Sequence, residues 1–314
     1  MEKNCLVTKY KATVNDNSLL KVGEMFIDII EQASPTNKTN SFILYNNAAE
    51  DVVYEVENGE ANLTLDSNME SGWTNKITVP ASSFPSAVYV RNGNYRVKAF
   101  PKYTLTQVGI YGTSHEAISI DTKYLKYSKN ITKIYCCLSG DIVNLIGLTD
   151  ITNLGFDSYN YSNLTGKLSD LALITSLKTV VLHNCSCTGT LSDLVPLTSL
   201  TDLDLAGINI SSDISEVNLL SSLRNLKLNM SPNISGNIKD LRVPLTHINV
   251  DQTKVTGDLV EFVKTQRAAG RTSGSLTSDY WGIKIKFNGN YISGNKKLTW
   301  TENTITCGDN TIEM

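Results

Sequence analysis

The sequence predicts a mainly β protein: an antiparallel β-sandwich over 1–110, a short solenoid over 111–262, and a helix and β-hairpin cap over 263–314. Three observations lead there. An eight-residue phrase recurs six times, as LSGDIVNL from 138, LTGKLSDL from 164, CTGTLSDL from 187, ISSDISEV from 210, ISGNIKDL from 234 and VTGDLVEF from 255. The steps between copies are 26, 23, 23, 24 and 21 residues, and ahead of each copy runs an apolar pattern L-x-x-L-x-L. Both flanks lack the phrase and instead show short alternating runs separated by turn residues.

The front segment carries EMFIDII, SFILYN, VVYEVENGEANLTL, NKITVP and SAVYVRNGNYRVKAF. These runs are rich in β-branched and aromatic residues, and the Asn-Gly turns in ENGE and RNGN are hairpin signals. Residues 111–130 end in a lead-in resembling those of the later repeats and read as an N-terminal cap or half repeat.

In the repeats, the apolar positions are Ile131-Ile134-Cys136, Ile151-Leu154-Phe156, Leu177-Val180-Leu182, Leu200-Leu203-Leu205, Leu223-Leu226-Leu228 and Leu245-Ile248-Val250. A strand alternates faces, so these residues point into the coil. One unit cannot bury them alone, whereas stacked units share a continuous core. The phrase then reads as the bend that returns the chain to the next strand. Its glycine (Gly140, Gly166, Gly189, Gly236, Gly257) supplies a positive φ or a close backbone approach. Ser212 replaces that glycine once, which predicts a strained or different turn there. In period and pattern, the stretch from about 118 to 262 resembles the leucine-rich repeat, whose units of about 20–29 residues pair a short strand with a convex segment.

Beyond Phe262, VKTQRAAGRTSG reads as a short helix ended by glycine, followed by a hairpin around Asn288-Gly289 and further strands. A terminal repeat exposes an apolar end, so this tail reads as a cap. With the β-rich front and the QRAAGRTSG stretch, the chain resembles leucine-rich-repeat proteins of gut anaerobic bacteria and their tailed phages. That resemblance implies a binding protein, an adhesin or a virion or phage-tail component.

Hydrophobic content of 41% and charged content of 19% belong to a folded chain. A net charge of −3 gives no electrostatic reason to expect nucleic acid. No run approaches the roughly 20 apolar residues of a membrane span. The N-terminus shows no apolar signal region, so the expected location is cytoplasmic or virion-associated. Of the six cysteines, Cys136, Cys185 and Cys187 take packing positions within the repeats, and none has the spacing of a zinc or redox pair. No cofactor or metal is implied.

Stacking the strands in register leaves a polar concave face of four columns. Its candidate ligand-binding residues are Asn153, Asp157, Lys178, His183, Asp202, Asp204, Arg224, Lys227, His247 and Asn249. Tyr159 and Tyr161, in the insertion FDSYNYSN of the second repeat, join them at the rim. Asp202 and Asp204 lie about 6.5–7 Å apart along one strand, inside the roughly 6.5–9.5 Å carboxyl spacing of inverting glycosidases. Lys227 beside Asp204 instead suggests an ordinary cross-strand charge pair. His183 and His247 sit three strands apart, too far to share a metal.

The reading is therefore a non-enzymatic protein that recognises a protein or a cell-surface glycan through the concave face. The N-terminal domain is expected to mediate assembly or homo-oligomerisation. The alternatives are a glycan hydrolase using the concave carboxylates and a purely architectural subunit.

Overall fold

The computed structural model describes residues 25–29, 39–46, 52–57, 61–62, 76–79, 88–91, 95–100, 105–111, 118–126, 128–135, 137–155, 163–282 and 284–313. The chain divides into two compact units, 1–151 and 152–314. The described residues are mainly β-strand, with short helical segments between strands.

In the first unit the β-rich runs form two mainly antiparallel sheets. In one, Met25–Ile29 pairs with Tyr95–Phe100, which pairs with Val52–Glu57, which pairs with Lys76–Val79. In the other, Thr39–Asn46 lies between Val88–Arg91 and Leu105–Tyr111, with Ala61–Asn62 beyond Val88–Arg91. Pairing changes to parallel at two places. Leu105–Tyr111 runs beside Lys133–Tyr135, and Ile118–Asp121 runs beside Cys137–Asp141. The last strands of the front segment thus pair with the strands of the first repeat.

In the second unit the predicted strands form one parallel sheet, Asn153–Leu154, Thr179–Val181, Asp202–Asp204, Asn225–Lys227 and His247–Asn249. Leu154, Val180, Leu203, Leu226 and Ile248 are aligned across it and are at most 1% exposed. Each contributes about 1.5–3 kcal/mol against exposure. This is the architecture of a leucine-rich-repeat coil.

The recurring phrase is more than a bend. Its opening residues form parallel strands of their own, in two separate sheets: Asn163–Lys167 pairs with Ser186–Thr188 in one, and in the other Ser212–Asp213 pairs with Ile234–Asn237, which pairs with Lys254–Asp258. The reason is again stacking, because identical phrases one turn apart bring extended backbones alongside each other. Where the phrase holds glycine, that residue lies within one position of the strand's end, with φ between +87° and +129°. A short helical turn follows, capped in most copies by an Asp or Asn: Asp121, Asp141, Asp213, Asn237 and Asp258 each accept from the backbone N–H two residues on.

Ser212 explains how one copy manages without glycine. It is buried, and its Oγ accepts from Leu191 N (2.9 Å) and donates to Glu216 Oε2 (2.7 Å). Glu216 also accepts from Ser192 N (2.9 Å) and, through Oε1, from Asp213 N (3.0 Å). A side-chain network replaces the glycine turn. Burial acts to raise the Glu216 pKa, but these donated hydrogen bonds outweigh it and hold the carboxyl below its usual range.

The helix after the last phrase is Leu259–Ala268, starting earlier than the sequence suggested because Asp258 caps it. Gly270 (φ +85°) follows its end. The tail extends both sheets. Thr277 exchanges backbone bonds with Thr246 and Ile248 (both 2.9 Å), and Ile285–Phe287 lies parallel to Lys254–Asp258. Ile285–Phe287 and Asn290–Tyr291 form the hairpin, with Asn288 (φ +50°) and Gly289 (φ +81°) at its turn. Trp281 is fully buried and donates through Nε1 to Lys296 O at 2.6 Å, while Phe262 meets Trp300 edge-on at 6.0 Å. Cys185, Cys187 and Cys307 are buried thiols; Cys136 lies outside the described residues.

Candidate functional site

With Val180, Leu203, Leu226 and Ile248 pointing inward, the residues on either side of each must point out. The register sets Thr179, Asp202, Asn225 and His247 in one row, and Val181, Asp204, Lys227 and Asn249 in the next. A further row precedes them, in which Lys178 N bonds Thr152 O, Thr201 N bonds Lys178 O, Arg224 N bonds Thr201 O and Thr246 N bonds Arg224 O, each at 2.8 Å. This polar surface is the side that such coils present as a concave face.

The rows support a connected chain of charge. His183 Nε2 lies 2.9 Å from Asp204 Oδ1, within ion-pair range. Asp204 Oδ2 is 4.0 Å from Lys227 Nζ, which is 3.8 Å from Asp279 Oδ2. His247 closes the series, with Nε2 3.2 Å from Asp279 Oδ2 and Nδ1 3.1 Å from Thr277 Oγ1. Two carboxylates, an ammonium group and two imidazoles, in the order His183, Asp204, Lys227, Asp279 and His247, thus span neighbouring strands and the cap.

Asp204 is only 7% exposed, and its Oδ1 also accepts from Ala206 N at 3.1 Å. Asn249, 8% exposed, accepts from Asp251 N in the same way. Both side chains brace the turn that leaves their strand, so less of each reaches the surface than row position alone suggests. Asp202 accepts from Thr201 Oγ1 at 2.5 Å and from Asn225 Nδ2. Thr152 Oγ1 donates to Asn153 Oδ1 at 2.8 Å. Arg224 and Lys178 are exposed. Asp157, Tyr159 and Tyr161 lie outside the described residues. Among the described residues no group of His, Cys, Asp or Glu has metal-site geometry.

Sequence reasoning missed Asp279. It lies 32 residues beyond His247 in a segment with no repeat signature, and only the folding of the cap against the last strand brings it to the face. Both carboxylates of the Asp202–Asp204 pair accept hydrogen bonds from protein donors.

No family model matches this sequence, and no curated protein matches it. Among solved structures, the plant peptide hormone receptor RGFR1 in complex with RGF2 is similar over 52% of this chain and 25% of its own, at 19% identity and a TM-score of 0.38. The ectodomain of the Arabidopsis receptor kinase HAESA, solved with a peptide hormone, is similar over 55% of this chain and 28% of its own, at 17% identity and a TM-score of 0.37. A leucine-rich-repeat protein of Leptospira interrogans is similar over 54% and 45% respectively, at 17% identity and a TM-score of 0.35. The chain spans about a quarter of the length of these plant receptor chains. Similarities of this size carry no statement about a ligand.

Proposed function

We propose that this chain is a non-enzymatic binding protein that recognises a protein or a glycan through the outer face of its first repeat sheet. The observation that carries the reading is the ordered series from His183 through Asp204, Lys227 and Asp279 to His247. Charged side chains locked by one another present their remaining hydrogen-bonding capacity in a fixed pattern, which lowers the ordering cost of binding. A carboxylate–ammonium–carboxylate run flanked by imidazoles favours a polar partner of complementary pattern over a greasy one. The front strands, whose sequence pattern is unrelated to the repeats, are assigned the task of joining the chain to a larger assembly such as a virion or tail.

The test is an array of glycans and proteins, with cell-surface extract as a positive control. Binding that is lost in Lys227→Ala or Asp202→Ala, with the fold intact by circular dichroism, supports the reading. Binding that neither substitution changes, or no binding at all, refutes it.

A further inference from the structure

A cavity of about 610 Å³ lies where the cap hairpin meets the last two copies of the phrase. The hairpin strand Ile285–Phe287 runs beside Lys254–Asp258 there, so residues from the repeats and from the cap share one wall. That volume is within the range of about 300–1,000 Å³ that small-molecule sites occupy.

Three ammonium groups line it from separate places: Lys239 on the helical turn Ile238–Asp240, Lys284 ahead of the hairpin strand, and Lys286 within it. In the other copies of the phrase the position of Lys239 is Val143, Ser169, Ser192, Ser215 and Val260, so a cation stands there only in the copy that shares this cavity with the hairpin. Lys284 Nζ donates to Thr253 O at 3.3 Å, which holds it at the wall. Lys286 Nζ sits 4.7 Å from the ring centroid of Tyr291, a cation–π contact that joins charge and ring in one unit. That ring is 68% exposed.

Two carboxylates also line the cavity, and both are drawn elsewhere. Asp258 accepts from the backbone N–H groups of Val260, Asn288 and Gly289 at 2.9, 3.1 and 2.6 Å. Glu261 Oε1 lies 2.7 Å from Lys264 Nζ. None of Lys239, Lys284 and Lys286 has a carboxylate within ion-pair distance among the described residues.

The cations are all lysines, and no arginine is among the described residues that line the cavity. An ammonium group is a compact point charge with three donors, suited to a tetrahedral phosphate, whereas a planar carboxylate is gripped best by a guanidinium fork. A phosphate monoester carries a charge of about −1.5 to −2 near neutral pH, enough to offset cations that the protein leaves unpaired. Beside them the Asn237 amide, the Thr256 hydroxyl and the second oxygen of Glu261 offer partners to hydroxyl groups. The Tyr291 ring adds an apolar surface at a wet site.

We propose that this cavity binds a sugar carrying a phosphate monoester, either free or as the phosphorylated ribose of a nucleotide. Lys239, Lys284 and Lys286 hold the phosphate, and Tyr291 covers the ring. The site lies on the phrase strands and the cap hairpin, apart from the polar rows of the first repeat sheet, and stands independently of the binding reading above.

Calorimetry of the full chain with glucose 6-phosphate, adenosine 5′-monophosphate, inorganic phosphate, glucuronate and glucose tests this. At least one of the two esters should bind about tenfold more tightly than glucuronate, glucose should not bind, and the tighter ester tells free sugar from nucleotide. Lys239→Gln and Lys286→Gln should each weaken that ester about tenfold. Tyr291→Ala should weaken the ester and leave the poorer binding of inorganic phosphate unchanged. Lys239 and Tyr291 are exposed and Lys286 is half-buried, so the variants keep the fold, as matching thermal denaturation should show. Glucuronate or inorganic phosphate binding as tightly as both esters would overturn the proposal, as would ester binding that none of the three substitutions weakens, or no ester binding at all.

Discussion

Gly236→Ala isolates the device that five of the six copies of the phrase share. Gly236 adopts φ +113°, and a Cβ there would lie 2.7 and 2.8 Å from the two carboxylate oxygens of Asp213. Asp213 cannot simply retreat, because its Oδ1 accepts from Ser215 N at 2.9 Å and from Ser215 Oγ at 2.7 Å, capping the helical turn. The backbone strain is of order 1–3 kcal/mol. A displaced cap costs about 1 kcal/mol more. The stiffer unfolded chain returns about 0.5 kcal/mol, for a net loss of about 1.5–3.5 kcal/mol. Gly270 provides the control: φ is +85° but nothing lies within 4 Å of its would-be Cβ. Gly270→Ala should therefore cost about 1 kcal/mol, backbone strain alone. For a unit of this size, thermal denaturation should show a fall of about 5–10 °C in the first variant and about 3 °C in the second. Equal falls would refute the idea that the glycine makes room for the preceding cap.

Glu216→Gln should destabilise at neutral pH and much less in acid. A carboxyl whose folded pKa is depressed contributes stability above its unfolded pKa of about 4.3, and that contribution disappears as pH falls through the lower folded value. Urea unfolding at neutral pH and at about pH 2–3 should show the wild-type advantage shrinking; a constant difference would mean that the Glu216 charge is not what holds the turn. Cys307 is fully buried, and burial pushes its thiol pKa up, so it should resist maleimide in the native state and react on unfolding, as read by mass spectrometry. Trp281→Phe removes the Nε1–H bond to Lys296 O and leaves that carbonyl short of a donor, which should cost about 1–3 kcal/mol in chemical denaturation. Leu226→Ala, at a fully buried strand centre, should cost about 2–5 kcal/mol in the same assay.

The sheet register was legible because it is written into the repeat. Asp202, Asn225 and His247 share a row since each precedes an inward Leu or Ile in its own copy of the pattern, and the alternation of a strand leaves no other choice. The same logic placed Lys227 beside Asp204. It did not reveal the strands within the phrase, because a polar stretch such as LTGK looks like a turn until its copies are stacked and their backbone groups find each other. Nor did it show that Asp204 and Asn249 would turn part of their capacity back onto Ala206 N and Asp251 N. Asp258 shows the same limit: besides capping its helix at Val260 N, it accepts from Asn288 N (3.1 Å) and Gly289 N (2.6 Å), joining the hairpin turn to the last repeat.

By itself the sequence determined the coil, the inward-facing residues and the rows of its polar face, because a periodic pattern forces periodic burial. Only the tertiary structure decided that Asp279 comes back to bridge Lys227 and His247. Those contacts join residues far apart in the chain and outside any repeat, and they depend on how a non-periodic tail folds against the last rung. Periodicity encodes neighbours one turn apart and says nothing about neighbours brought together by a cap.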